Sequence, residues 1–323
     1  MNKLSNTYYV GVDIGGTTIK TGIVDKNGNI VIKSAIKTEQ ISPELQMEKV
    51  GEQIQKLLQS SNLVFDSILG VGVGCPGAIN GKKGIVGYSS NLKWTNFYLK
   101  DTLEKITGKK VRVANDADAA TLGEVIFGVA KNYNTVIMLT LGTGVGGGIV
   151  IDKKLYEGTH GMVAELGHIT LRSNGLPCGC GRKGCFEQYA SATALVRITK
   201  EFMAKNPESS MWALVENDLS KVDGKTAFIC AKQGDKAAKR VINKYISYLS
   251  EGCLDYCNIF RPDAIVFGGG ISKEGEYLTK KVVKYLEKFN YGYKNTPKTA
   301  ILTASLGNDA GIIGAASLVA EEF

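Results

Sequence analysis

The sequence predicts an α/β protein of two domains, and three observations support this fold class. The chain has 323 residues, about twice the length of a typical domain. Two stretches, at residues 10–25 and 135–151, place a β-rich run on each side of a turn of glycine and threonine. Segments with a helical spacing of apolar residues lie between and after them, so strands and helices alternate along the chain.

The first elements form an antiparallel opening. A β-rich run at residues 8–13 leads into Gly15-Gly16-Thr17-Thr18, and residues 19–25 resume the extended pattern. Asn27-Gly28 predicts a tight hairpin turn into a third strand at residues 30–36. A helical rhythm over residues 43–58 and a buried strand at residues 68–73 follow.

The second half repeats this opening. Residues 135–141 form a strand, Gly142-Thr143-Gly144 a turn, and residues 145–151 a second strand. The repeat favours two similar halves, each presenting a glycine hairpin toward a common cleft, although such hairpins also recur by chance in β-rich proteins. The remaining predicted elements are strands at 111–114, 264–267 and 300–303 and helices at 116–127, 236–257 and 310–320.

Composition excludes several classes of protein. Hydrophobic residues make up 44% and charged residues 22% of the chain, which excludes a disordered, collagen-like or coiled-coil protein. The net charge is +8, but the lysines are scattered singly or in pairs, so we expect no nucleic-acid partner. A strand-like run begins by residue 8 and no run of eighteen apolar residues occurs, so we expect a cytoplasmic protein without a membrane partner.

Three glycine-rich strand ends suggest a nucleotide site. In Asp13 to Thr18 (DIGGTT), successive glycines let backbone N–H groups face a phosphate, and the threonine hydroxyls add donors. The segment is not a Walker loop, since no Gly-Lys-Ser/Thr follows, and alone it could be an ordinary β-turn. Together with the turn at 142–144 and the glycines at 268–270, it favours phosphate binding.

A carboxylate and an amide follow a predicted strand at Asn115 and Asp116. Phosphoryl transfer to an alcohol needs a carboxylate that accepts the hydroxyl proton, and Asp116 is placed to supply it. The alternative is that Asp116 only caps the following helix, where Asp118 supplies a further negative charge.

The strongest signal is a metal-binding pattern. His168, Cys178, Cys180 and Cys185 fall within eighteen residues, with glycines that let the chain wrap a single ion. Three thiolates and one imidazole match a structural, tetrahedral zinc, and buried or redox-active thiols are the alternative. The other four cysteines are expected in the core: Cys75, Cys230, Cys253 and Cys257.

Two glutamates adjoin this pattern. Glu165 precedes His168 by three residues, and Glu187 follows Cys185 by two. Carboxylates fixed beside a metal loop would accept hydrogen bonds from the vicinal hydroxyls of a sugar, whereas isolated exposed glutamates are usually solvated surface.

With these motifs in order, the chain resembles the ROK (repressor, open reading frame, kinase) family of sugar kinases. The resemblance covers nearly the whole chain, and the matching segments are residues 10–25, 72–80, 114–124, 139–150, 164–168, 178–191 and 265–272. It implies the two-domain actin-like ATPase (ribonuclease-H-like) fold, with a cleft between domains and a zinc-bearing loop. We expect a smaller domain at 1–115, completed by a C-terminal helix at 310–323, and a larger one at 116–309.

The resemblance implies transfer of the γ-phosphoryl group of ATP, with Mg²⁺, to the 6-hydroxyl of a hexose held between domains that close. Glucose is the favoured acceptor, and N-acetylmannosamine or fructose is the alternative within the family. A non-catalytic sugar sensor is the alternative from another class. We expect a homodimer.

The resemblance also implies a role for each matching residue. Asp116 would be the catalytic base. The sugar contacts would be Gly77, Asn91, Asn115, Asp116, Glu165, His168 and Glu187. ATP and Mg²⁺ would be bound by Asp13, Gly15, Gly16, Thr17, Thr18, Lys20, Gly142, Thr143, Gly144, Gly269 and Gly270. The structural Zn²⁺ would be held by His168, Cys178, Cys180 and Cys185, with the second ring nitrogen of His168 on the sugar.

Two features depart from the family pattern. The family's N-D-A-N is Asn115-Asp116-Ala117-Asp118 here, so a carboxylate replaces the second amide. The phosphate motif begins at Val10, so we expect none of the DNA-binding helices of the repressor branch.

Overall fold

A computed structural model describes residues 7–159 and 161–320. Its strands are β1 (Tyr8–Ile14), β2 (Thr18–Asp25), β3 (Ile30–Lys37), β4 (Ile68–Cys75), β5 (Ala78–Asn80), β6 (Ile85–Ser89), β7 (Trp94–Phe97), β8 (Lys110–Asn115), β9 (Val136–Leu141), β10 (Val145–Ile151), β11 (Lys154–Leu155), β12 (Ala264–Gly268) and β13 (Ala300–Thr303). Its helices are α1 (Pro43–Ser61), α2 (Leu99–Thr107), α3 (Asp116–Ile126), α4 (Glu187–Ala190), α5 (Ala192–Ala204), α6 (Ser210–Leu214), α7 (Thr226–Lys232), α8 (Lys236–Phe260), α9 (Glu276–Phe289) and α10 (Ala310–Ser317).

The chain divides into two compact units. Unit 1 holds the described residues of Met1–Thr135, Gly148–Ala164 and Ser305–Phe323, and unit 2 holds Val136–Gly147 and Glu165–Ala304. The sequence placed the first boundary after residue 115, whereas the chain first changes unit after Thr135. Helix α3 therefore belongs to the first unit, together with α10.

The central sheet of unit 1 has the strand order β3-β2-β1-β4-β8. Strands β1, β2 and β3 are antiparallel, which confirms the predicted opening, and β4 and β8 run parallel to β1. One face carries Val10, Val12 and Val73, which are fully buried and share a core with Met47 and Val50 of α1. Burial of each such side chain contributes about 1.5–3 kcal/mol. A small sheet of β5, β6 and β7 also belongs to this unit.

Helix α10 covers the other face of this sheet, and its backbone lies unusually close to the backbone of the strands. A Cβ atom at Gly72 would lie 1.7 Å from the carbonyl oxygen of Ala315, and one at Gly11 would lie 1.9 Å from that of Ile312. Only glycine lets the strand and helix backbones approach so closely. On its other side, α10 contacts α3, where a Cβ at Gly314 would lie 1.7 Å from the carbonyl oxygen of Ala119. Helix α3 is thus fixed to the sheet through α10.

In unit 2, β9, β12 and β13 lie side by side and parallel, and β10 begins in this unit next to β9. The long helix α8 buries Tyr245, Leu249 and Cys253 completely. Its predicted amphipathic character is confirmed, and the helix extends three residues beyond the predicted end. The four cysteines expected in the core are all buried. Among the described residues, no helix has both the length and the apolar character that crossing a membrane requires.

Candidate active site and metal centre

The first glycine turn of unit 1 joins β1 to β2. The Gly15 N–H donates to the carbonyl oxygen of Thr18 at 2.9 Å, which closes the turn, and Gly16 and Thr17 at its tip are exposed. Asn91 lies beside this tip, since a Cβ at Gly16 would be 3.7 Å from the Asn91 Cβ. The structure therefore brings a predicted sugar contact next to the predicted phosphate turn.

Asp13 lies near the end of β1 and below the first turn of α10. Its side chain is 20% exposed and lies 3.5 Å from the Nζ of Lys20. A Cβ at Gly311 would lie 2.6–2.9 Å from the carboxylate atoms, so the first turn of α10 packs directly against this carboxylate. Burial raises the pKa of Asp13 above its ordinary value, and the ammonium group of Lys20 opposes part of this rise.

Asn115 and Asp116 stand at the junction of β8 and α3. Asn115 is the N-cap, because its side chain accepts a hydrogen bond from the Ala117 N–H at 2.9 Å. Its amide nitrogen donates to the carbonyl oxygen of Gly77 at 3.0 Å, so these two predicted sugar contacts are neighbours. Asp116 is the first helical residue and half-buried, and its carboxylate also accepts from the Ala117 N–H. The N-cap position is thus filled without Asp116.

The second glycine turn, in unit 2, joins β9 to β10. The Gly142 N–H donates to the Gly144 carbonyl oxygen at 3.1 Å, and Thr143 at the tip is exposed. Glu187, the first residue of α4, accepts a hydrogen bond from the Val145 N–H at 3.1 Å. A predicted sugar contact is therefore anchored directly behind the predicted phosphate turn.

The four predicted metal ligands come together in unit 2. The ligand atoms of His168, Cys178, Cys180 and Cys185 all lie within 4.8 Å of one another. The Nδ1 of His168 is 3.7 Å from the Cys178 Sγ, and the Cys180 and Cys185 Sγ atoms are 3.6 Å apart. Tetrahedral zinc with bonds of about 2.3 Å separates its sulfur ligands by about 3.8 Å, close to the observed spacing, so these residues fit zinc.

The same hydrogen bonds hold the segments that carry the predicted metal ligands and the predicted sugar contacts. Arg182 donates to the carbonyl oxygen of His168 at 3.0 Å and to the Thr170 hydroxyl at 2.6 Å, which ties the cysteine segment to the histidine segment. The buried Tyr256 hydroxyl of α8 donates at 2.6 Å to the carbonyl oxygen of Leu166, between Glu165 and His168. The Glu187 carboxylate lies 3.8 Å from the Cys178 Sγ. Glu165 itself is exposed.

The third glycine segment follows β12. Gly269 has φ +79° and is exposed, and the short 3₁₀ helix Gly270–Glu274 begins immediately after it. The Ser272 hydroxyl donates to the Gly269 carbonyl oxygen at 2.7 Å. Both predicted nucleotide contacts therefore lie at an exposed strand end of unit 2.

Comparison with known proteins decides the family. The model of the ROK family matches residues 9–322. The chain belongs to the ROK family. This confirms the resemblance read from the ordered motifs, and its match covers both units.

This ROK protein is similar to kinases over almost its full length. It is 37% identical to the glucokinase of Streptomyces coelicolor over 314 residues, which cover 97% of each chain. It is 38% identical to the glucokinase of Thermotoga maritima over 320 residues, covering 97% of this chain and 98% of that one. A crystal structure of the Streptomyces griseus ROK glucokinase with glucose and AMPPNP superimposes with a TM-score of 0.79, at 36% identity and with 96% and 98% of the chains covered.

The actin-like ATPase fold predicted from the sequence is confirmed by this structural neighbour. The sequence did not single out Thr38, Arg182, Thr193 or Gly311, although each contacts a predicted site residue or its carbonyl. A single threonine, arginine or glycine has no spacing pattern of its own, so none of these residues was assigned a role from the sequence.

Proposed function

We propose that this ROK protein is an ATP-dependent glucokinase, which transfers the γ-phosphoryl group of ATP to the 6-hydroxyl of glucose. The observation that carries the proposal is its identity of 37–38% to glucokinases across at least 97% of both chains. A structure at 36% identity that contains both glucose and AMPPNP supports it further.

Asp116 acts as the general base in this proposal. It accepts the proton of the 6-hydroxyl and aligns the oxygen for attack on the γ-phosphorus. Two observations support the role: Asn115 already caps α3, and the Ala117 N–H orients the Asp116 carboxylate. The carboxylate is half-buried at the N-terminus of α3, next to the N-cap residue and not in the N-cap position itself.

In this proposal the glucose contacts are the residues that the family resemblance implies, namely Gly77, Asn91, Asn115, Glu165, His168 and Glu187. Carboxylate oxygens are pure acceptors, so they select for the hydroxyl groups of a sugar. The Nδ1 of His168 faces Cys178, which leaves Nε2 as the nitrogen for the sugar.

The nucleotide phosphates are bound by N–H groups of the two glycine turns, Gly15–Thr18 and Gly142–Gly144, and Gly269 and Gly270 adjoin the adenosine. Asp13 and Lys20 carry the charges nearest the first turn. When bound, Mg²⁺ would neutralise charge on the phosphate oxygens, and the Asp13 carboxylate would accept hydrogen bonds from water molecules bound to the ion.

We assign the four-residue cluster to a structural zinc, because four protein ligands leave no open coordination position. The metal would fix the His168 ring and the segment that carries Glu187. The homodimer expected from the sequence stays a prediction.

The test is an ADP-release assay with Mg-ATP over glucose, mannose, fructose, N-acetylglucosamine and N-acetylmannosamine. We expect glucose to give the highest kcat/KM. A preference for an N-acetyl sugar or fructose would contradict glucose as the substrate. Silence on every sugar, with a sugar-induced thermal shift, would contradict the kinase and favour a sensor.

The Asp116→Asn variant tests the base. We expect kcat to fall by a factor of about 10²–10⁴, because proton acceptance is lost, while the KM for glucose stays close to that of the wild type. The matched control is Asp101→Asn, which changes an exposed acid in the first turn of α2. Turnover of Asp116→Asn near the wild-type rate would refute the assignment.

A further inference from the structure

Two carbonyl oxygens of the first glycine turn accept hydrogen bonds from one residue outside it. Thr38 follows β3, and its hydroxyl donates to the Gly15 carbonyl oxygen at 2.7 Å. Its backbone N–H donates to the Thr17 carbonyl oxygen at 3.0 Å. One residue therefore fixes two of the peptide groups that form the turn.

These two bonds determine which way the turn presents its N–H groups. In a trans peptide the C=O and the following N–H point in opposite directions. With the Gly15 carbonyl directed at Thr38, the Gly16 N–H points to the other side. Because carbonyl oxygens carry partial negative charge and repel phosphate, directing the Gly15 and Thr17 carbonyls at Thr38 keeps these two acceptors away from the side that the Gly16 N–H faces.

Thr38 is itself held rigidly. It is 7% exposed, and the next residue, Glu39, donates its N–H at 2.9 Å to the side-chain oxygen of Gln46. Gln46 lies in α1 and is fully buried. The position of Thr38 is therefore set by the core of unit 1 and not by the exposed turn.

The second glycine turn shows the same arrangement. The Thr193 hydroxyl donates to the Thr143 carbonyl oxygen at 2.8 Å, and the adjacent Ala192 N–H donates to the Gly142 carbonyl oxygen at 2.8 Å. Again a threonine hydroxyl and a neighbouring backbone N–H occupy two carbonyls of a turn. The same pair of hydrogen bonds thus occurs in both units, in unit 2 at the start of α5, which argues against a chance contact.

We propose that Thr38 is a positioning residue for the nucleotide phosphates, acting through the Gly15–Thr18 turn, and that Thr193 does the same for the Gly142–Gly144 turn. The proposal rests on the proposed function, since it names the residues that prepare the phosphate-binding turns. Neither threonine belongs to the motifs on which the resemblance rests, and neither needs to touch ATP.

The test is Thr38→Val, which removes the hydroxyl and keeps the shape of the side chain. We expect the KM for ATP and the Kd for AMPPNP, measured by calorimetry, each to rise about tenfold, the effect of losing one partly buried hydrogen bond that orients the turn. The KM for glucose should stay within about twofold. Thr38→Ser keeps the hydroxyl and should restore nucleotide binding.

The matched control is Thr107→Val in α2. Thr107 is also 7% exposed, and its hydroxyl also donates to a carbonyl oxygen, that of Leu103, at 2.7 Å. It should lose a similar amount of thermal stability and leave the Kd for AMPPNP unchanged. Thr193→Val, at an exposed position, provides a second variant should Thr38→Val fold poorly.

Unchanged AMPPNP binding in Thr38→Val or in Thr193→Val, or an equal loss in Thr107→Val, would overturn the proposal. An equal rise in the KM for glucose would also overturn it, because a general structural defect would then explain the effect. If the wild type phosphorylates no sugar, the proposed function fails, whereas the AMPPNP comparison still decides the role of the threonines.

Discussion

At the scale of single residues, the charged form of Asp13, which the proposed function needs, lowers the stability of the fold. Burial raises its pKa above the value of 3.8, and Lys20 offsets this only in part. Folding therefore favours the protonated form, so the contribution of Asp13 to stability is full below pH 3.8 and is lost as the pH rises through its folded pKa. We expect Asp13→Asn to have a higher Tm than the wild type at pH 7, a difference that shrinks toward pH 4, while turnover with Mg-ATP is lost.

Asp25→Asn is the control with the opposite sign. Burial acts to raise its pKa, but hydrogen bonds from Asn29 and Asn27 outweigh burial and lower it. Asp25 thus stabilises the fold above pH 3.8, and the contribution is lost as the pH falls through its lowered pKa. Its replacement should lower the Tm at pH 7. Thermal unfolding from about pH 2 to pH 8 measures both variants, and an Asp13→Asn variant less stable than the wild type at pH 7 would contradict the reasoning.

The metal ligands could be predicted from the sequence because they lie close together along the chain. His168 and Cys185 are separated by 17 positions, their spacing matches a metal site, and the structure gathers all four ligands. Thr38 and Thr193 contact turns that are 23 and 50 positions away. Such contacts depend on how strands and helices pack, so a lone threonine gave no indication of them.

At the scale of elements, α10 packs so closely against β1 that a side chain at Gly311 would clash with Asp13. Alanine in a helix is ordinarily more stable than glycine by about 1 kcal/mol. Here its Cβ would lie 2.6 Å from the Cγ of Asp13, so the carboxylate must move. We expect Gly311→Ala to lower kcat with Mg-ATP by roughly tenfold or more, because a displaced charge no longer faces the phosphates. Steady-state kinetics with glucose and ATP measures it.

The control for this change is Gly224→Ala, where the new Cβ would meet its nearest neighbour, a side-chain atom of Ile271, at an ordinary 3.4 Å. That variant should keep its kcat. A Gly311→Ala variant that is both more stable and fully active would show that Asp13 tolerates the displacement.

The elements that could be predicted are those with a strong period. The hairpin strands β1 to β3 and the helix α8 appear within a few residues of their predicted bounds. The small sheet of β5, β6 and β7 was not predicted, because its strands have three to five residues and show no sustained alternation. Their pairing with one another, and not their own sequence, makes them strands.

At the scale of the whole molecule, the division into units depends on packing that composition does not reveal. The chain changes unit after Thr135, Gly147, Ala164 and Ala304, and none of these places has a linker-like sequence. Helix α3 falls in unit 1 because its backbone touches α10 at Gly314, a contact between segments nearly two hundred residues apart. In the sequence, this contact is indicated only by the small size of the two residues that meet there, Gly314 and Ala119.

The metal centre offers a test of how one unit depends on a single ion. All four ligands lie in unit 2, and Cys180 is exposed, so Cys180→Ala removes a ligand with little loss of packing. We expect the bound zinc to fall from one per chain, the Tm to drop and the KM for glucose to rise, because metal binding is coupled to the order of the segments carrying His168 and Glu187. Hydrogen exchange should become faster at residues 166–190 and stay unchanged in β1 and β4.

The control is Cys230→Ala, which changes a buried cysteine outside the metal cluster. This variant should still bind one zinc per chain. Metal analysis that finds fully active wild-type protein without zinc would remove the basis for this coupling.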